Sequence, residues 1–161
     1  ARQFVYYFHS LGTEAARTAL TQASLRIAED HFPFGTGFGT FASAFSADPY
    51  SKVYYLYHIQ NVWGISRQYN AFISDTFWPM ILGQTGWLGL VCYAAALLLL
   101  FSVIYHMRKH NAYSFASALS AFFYLLISST SESAFVNTMA VPLAFLLGVL
   151  LSDIKRYSEI S

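Results

Sequence analysis

The side chains of this sequence best suited to chemistry are an aspartate at the mouth of a long apolar run and a set of arginines in the polar segment before it. Asp75 sits in Ser74-Asp75-Thr76-Phe77-Trp78-Pro79, where an uncharged stretch begins. A carboxylate there can cap the following helix or favour its dipole, or it can act as a general base toward a hydroxyl. The cations that precede it are Arg2, Arg17, Arg26, Lys52 and Arg67. The planar fork of arginine bonds two oxygens at once, which suits a diphosphate. Arg17 and Arg26 are nine residues apart, about 900° around an ideal helix, so they face opposite ways. Glu29 and Asp30 follow Arg26 at helical spacing and account for it structurally. Arg17 has only Glu14 behind it and is the first candidate for binding a diphosphate. Arg67, eight residues before Asp75, is the second, and Arg26 is kept as a further contact.

Gly35, Gly37 and Gly39 lie in the run Pro33-Phe34-Gly35-Thr36-Gly37-Phe38-Gly39-Thr40-Phe41. The spacing is not that of a dinucleotide fingerprint, and no Walker lysine follows. One reading is a tight re-entrant turn whose Phe34, Phe38 and Phe41 dip into a membrane interface. The other is a nest of backbone amides that holds a phosphate. Tyr54 and Trp63, among Tyr50, Tyr55, Tyr57 and Tyr69, offer ring faces for sugars or an interfacial aromatic belt. His9, His31 and His58 lack metal-ligand spacing; His106 and His110, four apart with basic neighbours, read as a solvated loop.

Apolar length defines the elements that hold these residues. About 20 uncharged helical residues cross a hydrocarbon core about 30 Å thick. Phe77–Tyr105, about Ala112–Ser129 and about Ser133–Ser152 are uncharged, which predicts three spans. Arg108 and Lys109, in the 106–111 connection, and Lys155 and Arg156 fall on one side, which the positive-inside rule makes cytoplasmic. Residues 1–76 are then extracytoplasmic, and 77–161 form the membrane region. In the outer segment, Thr13 begins a predicted helix to about Asp30, with Ala16, Leu20, Ala23 and Ile27 as one apolar stripe. Pro33 follows it, and a second helix is predicted over about Tyr50–Tyr57.

The composition agrees with this reading. Only 11% of the 161 residues are charged, against about 25% in soluble domains. The net charge is +1 with no basic run, so there is no nucleic-acid footprint. A lone Cys92 provides neither a disulfide framework nor a thiolate metal site. No charge lies within a span, which argues against an ion pathway and places activity at the outer face. A first residue of Ala rather than Met suggests the C-terminal fragment of a longer chain.

Two stretches resemble a known family. Arg17-Thr18-Ala19-Leu20, followed by Ile27-Ala28-Glu29-Asp30-His31-Phe32-Pro33-Phe34-Gly35-Thr36-Gly37-Phe38-Gly39-Thr40-Phe41, is similar to the large periplasmic loop of the O-antigen polymerase and O-antigen ligase superfamily. Asp75-Thr76, nine residues, then Gly86-Trp87-Leu88-Gly89 matches the ligases' histidine, polar residue, nine others and G-x-x-G, with aspartate in place of histidine. The resemblance spans roughly residues 13–150. It implies an all-α, GT-C-like, multi-pass glycosyltransferase of the bacterial inner membrane, with residues 1–76 periplasmic. Its donor would be an undecaprenyl-diphosphate-linked oligosaccharide, with no metal and no cofactor. Asp75 and Arg17 would be catalytic, and Arg67, Arg26, Gly35, Gly37, Gly39, Tyr54 and Trp63 would contact substrate. The aspartate favours a polymerase of O-antigen or capsule repeat units, with a chain-length regulator as an expected partner and membrane lipid as its surroundings. The alternatives are a ligase acting on the lipid A core and, in a different class, a flippase or transporter of the lipid-linked oligosaccharide.

Overall fold

The computed structural model describes residues 2–109, 111–138 and 140–158, with side chains over 14–109, 111–138 and 140–149. His110 lies outside the described residues, as do the side chains of Arg2, His9, Lys155 and Arg156. The described residues are all-helical, with no strand. The elements are α1 (Arg2–Asp30), α2 (Ala44–Ala47), α3 (Lys52–Leu56), α4 (Phe77–Met107), α5 (Ala112–Ser128) and α6 (Ala140–Ser158). The chain divides into two compact units, Ala1–Val91 and Cys92–Ser161.

In the first unit, α1 begins well before Thr13, so that residue is interior to the helix. The stripe Ala16, Leu20, Ala23 and Ile27 is buried, as the three-to-four spacing requires. The predicted helix over 50–57 is shorter, Lys52–Leu56, with the Ser51 side chain accepting from the Val53 amide as its N-cap. Around it an aromatic core forms. Phe41 and Tyr54 are fully buried, with ring centroids 5.8 Å apart. The Tyr54 hydroxyl accepts from the Ala42 amide at 3.0 Å and pairs with Ser46 Oγ at 2.6 Å. Ala42 adopts a left-handed φ of 49°, a conformation that L-residues other than glycine, Asn and Asp rarely take, and the bond from Tyr54 helps to hold it.

Burial pushes the Tyr54 phenol up to about 12, against the opposing bonds from Ser46 and Ala42. Burial likewise pushes Tyr50 up to about 12, with Tyr54 and Tyr55 adding to it. A phenol whose folded pKa lies above its unfolded value near 10 contributes stability that is whole below pH 10 and is lost as the pH rises toward 12. The first unit is therefore expected to hold through neutral pH and weaken across that alkaline window, with tyrosinate absorbance rising late. Tyr54→Phe should flatten the alkaline fall-off. At neutral pH it should cost about 1–2 kcal/mol, because the Ala42 amide loses its partner. Thermal melts of both proteins at the two ends of the window check this.

The second unit is a helical cluster. Ile104 and Met107 of α4, Ala118, Ala121 and Phe122 of α5, and Leu147 of α6 form its buried core. α4 is long and apolar enough to cross a membrane, and almost none of its most apolar stretch is covered by protein. A helix apolar on all faces and uncovered is suited to lipid rather than water. α5 and α6 are shorter apolar helices. The stretch expected as a span from Ser133 becomes helical only at Ala140. Asn137 Oδ1 accepts from the Thr138 amide at 2.7 Å and from the Thr138 hydroxyl at 3.2 Å, and local turns bond Ala134 to Glu132 and Val136 to Ser133. Such short-range polar bonds compete with the helical ladder.

Candidate functional site

In the first unit, the start of α4 and the 33–41 loop are joined by an exchange of backbone hydrogen bonds. Inside α4, Gly86 takes φ 64° and ψ −167°, which breaks the helix after Thr85. In an unbroken helix the Leu88 amide would bond to the Gln84 carbonyl. Instead Leu88 N donates to Pro33 O at 3.2 Å, and Gln84 O accepts from Gly37 N at 2.9 Å. Gly83 O accepts from the Thr36 amide at 3.0 Å and from the Thr36 hydroxyl at 3.1 Å. Gln84 completes the clasp with its side chain: Oε1 accepts from Gly39 N at 3.0 Å, and Nε2 donates to Phe41 O. The polar groups freed at the kink are thus satisfied by the 33–41 loop, as buried backbone requires.

This geometry corrects the expectation for Gly35, Gly37 and Gly39. The amides of Thr36, Gly37 and Gly39 point at residues 83–84, and Gly35 N donates to His31 O at 2.9 Å, so they leave no open nest for a phosphate. Glycine is needed at Gly35 for close approach: a Cβ there would lie 2.6 Å from Gly83 O and from Gly86 N. Phe41, expected at an interface, is instead buried over Gly83.

Asp75 stands on the turn just before α4, where its amide donates to Phe72 O at 3.4 Å. Arg17 is carried by α1 beside the buried Ala16 and Leu20, which fix its rotation about the helix axis. Although 58 residues separate them, the two meet: Arg17 Nη2 lies 2.8 Å and Nε 3.0 Å from Asp75 Oδ2. Both bonds converge on one oxygen, and Oδ1 accepts none among the described residues. The Nη1 side of the fork is turned to Glu14 Oε1, 3.7 Å away. The Arg17 and Asp75 side chains remain 32% and 28% exposed, so solvent can reach them. An ion pair this accessible contributes about 1 kcal/mol or less to stability. Rearranging it around an anion therefore costs little. Beside it, Thr76 Oγ1 is buried with no hydrogen-bond partner among the described residues. Being buried, that hydroxyl is out of reach of a ligand in this structure.

The other sequence candidates fall elsewhere. Arg26 and Arg67 are exposed, and neither makes an ion pair among the described residues. Asp30, expected to pair with Arg26, instead accepts from the Tyr57 hydroxyl at 3.0 Å. Burial, with Asp30 beside it, pushes that phenol up to about 12. Tyr54 is core, which corrects its expected role as a sugar contact: a ring with no exposed surface cannot stack on a ligand. Trp63 is exposed and stacks on Tyr69, with centroids 4.5 Å apart. Gln84 was not singled out from the sequence. Gln84 carried a signal, being an amide inside an otherwise apolar helix, where an unsatisfied polar group is costly.

The site combines a partly exposed cation whose Nη1 side makes only the 3.7 Å pair with Glu14 and a carboxylate whose Oδ1 accepts no hydrogen bond among the described residues. Such a set can bind an oxyanion and deprotonate a hydroxyl. No family model matches the chain, and neither a curated protein nor a solved structure matches it.

Proposed function

We propose that this chain is part of a multi-pass membrane glycosyltransferase that polymerises undecaprenyl-diphosphate-linked oligosaccharide repeat units into O-antigen or capsular polysaccharide. Residues 1–76 lie on the periplasmic side of a bacterial inner membrane, and α4, α5 and α6 cross it. The observation that carries this reading is the partly exposed Arg17–Asp75 pair, whose carboxylate stands directly before the apolar α4. A lipid-linked diphosphate has its lipid in the bilayer and its phosphates at the surface. A cation and a base are needed at that depth.

In the proposed step, the acceptor sugar hydroxyl attacks the anomeric carbon of the donor. Asp75 Oδ1 takes the hydroxyl proton as the new C–O bond forms. The bond from the anomeric carbon to the diphosphate oxygen breaks, and the leaving group departs with the electron pair. Arg17 stabilises the charge that develops on it through the Nη1 side of its fork, which exposed Glu14 gives up, while Nε and Nη2 keep hold of Asp75 Oδ2. Exposed Trp63, stacked on Tyr69, offers a ring face to the growing glycan, and Arg67 is a second anion contact.

A polysaccharide ladder from a deletion strain, complemented with full-length wild type or with Asp75→Asn, tests the proposal. Wild type is expected to restore long chains and Asp75→Asn to leave single-repeat glycolipid. A deletion strain with unaltered long chains would sink the proposal. A bare lipid core without even a single repeat would replace the polymerase with a ligase.

A further inference from the structure

Four phenylalanines of the 32–45 segment project from the first unit instead of packing into it: Phe32 is 71% exposed, Phe34 68%, Phe38 88% and Phe45 81%. Gly39, next to Phe38 in the chain, lies against Phe45: a Cβ on it would sit 3.4 Å from Phe45 Cβ. Four large apolar rings this exposed on one short segment are not ordinary surface and mark a docking face. We infer that these rings are seated in the interfacial layer of the bilayer that α4 crosses, holding the outer segment at the lipid surface.

Depth identifies lipid as the occupant. Counting back from Arg108, the about 20 residues needed to cross a hydrocarbon core end near Leu88. Gly83 and Gln84 lie just outside that limit, and these are the residues to which Thr36, Gly37 and Gly39 are bonded. The clasp therefore fixes the loop at the boundary between acyl chains and headgroups, where aromatic rings are favoured. Charge agrees. The open groove flanking this loop is lined by His31, Gly35, Thr36, Lys52, Val53, Tyr55 and Leu56. Lys52 makes no ion pair among the described residues and is placed to meet lipid phosphates, while exposed Leu56 and Tyr55 continue the apolar rim.

The inference rests on α4 crossing the membrane and not on glycosyl transfer. Its test uses the protein in liposomes of zwitterionic and anionic phospholipid, with a fluorescent label on a single cysteine. The label is placed on native Cys92, which is exposed on α4, or on Phe38→Cys in a Cys92→Ala background. At position 38, nitroxide lipids labelled near the headgroup are expected to quench at least twice as strongly as those labelled near the chain terminus. Aqueous iodide should quench weakly. Strong iodide quenching without lipid quenching overturns the inference. Protection from both quenchers overturns it equally, since a protein would then cover the rings. Lipid quenching at Cys92 but not at position 38 refutes the docking face alone. Its absence at Cys92 refutes the membrane reading of α4 beneath it.

Discussion

An Arg17→Ala variant is expected to lose polymer formation by about 100- to 1,000-fold, the effect of removing one preorganised donor from a developing negative charge. The same change should leave the fold nearly intact. Arg17 is a third exposed and pairs with a carboxylate that is itself a quarter exposed, so the pair contributes about 1 kcal/mol or less to stability. Arg17→Lys should recover only part of the activity. A lysine presents a point charge, whereas Arg17 uses Nε and Nη2 on Asp75 and holds Nη1 only in a 3.7 Å pair with exposed Glu14. Because the two side chains touch, Arg17→Ala and Asp75→Ala should combine non-additively, with the double variant little worse than the worse single one. Turnover of lipid-linked repeat units in isolated membranes, measured beside resistance to proteolysis, separates chemistry from folding. Wild-type turnover in Arg17→Ala would remove this residue from the mechanism. Loss of turnover together with rapid proteolysis would make the pair structural.

Gly86→Val is expected to destabilise the first unit by about 3 kcal/mol or more, adding a steric clash to backbone strain. Gly86 lies at φ 64°, where a branched side chain is strained. A Cβ there would run into the Pro33 carbonyl and sit 2.6 Å from Gly35 N. Both neighbours are backbone and have little freedom to give way. The clasp would have to open, exposing the amides and carbonyls of residues 33–39 and 83–88 that now satisfy one another. Gly37→Ala separates the two contributions. It has φ 96° but nothing within 4 Å of a new Cβ, so only the strain of about 1–3 kcal/mol remains. Gly148→Ala, helical and with open space around it, should be neutral or slightly stabilising. Melting curves of the purified variants should rank Gly86→Val far below Gly37→Ala, with Gly148→Ala at wild type. A Gly86→Val protein that melts like wild type would show that the kink is not held by the loop.

The sequence by itself determined the parts of this protein that follow from short-range pattern. The uncharged run after Asp75 marks a helix able to cross a membrane, because length and hydropathy suffice for that. The buried face of α1 is written in the spacing of Ala16, Leu20, Ala23 and Ile27. Residue type alone also made Arg17 and Asp75 candidates. Three features were decided only by the tertiary structure. Arg17 and Asp75 meet because α1 and the turn before α4 are brought together, and nothing within either segment encodes that contact. The glycine run reads equally as nest or turn until its amides find Gly83 and Gln84, more than 40 residues away in the chain. Tyr54 and Trp63 look alike in sequence, yet one is core and the other surface. The late start of α6 lies between these cases: Asn137 and Thr138 are visible in the sequence, but hydropathy averages over them while their hydrogen bonds do not. Hydropathy and helical period act within a few turns of chain, so they can be read locally. Ion pairs and backbone exchange between distant segments depend on how the chain closes on itself, and that closure is a property of the folded structure.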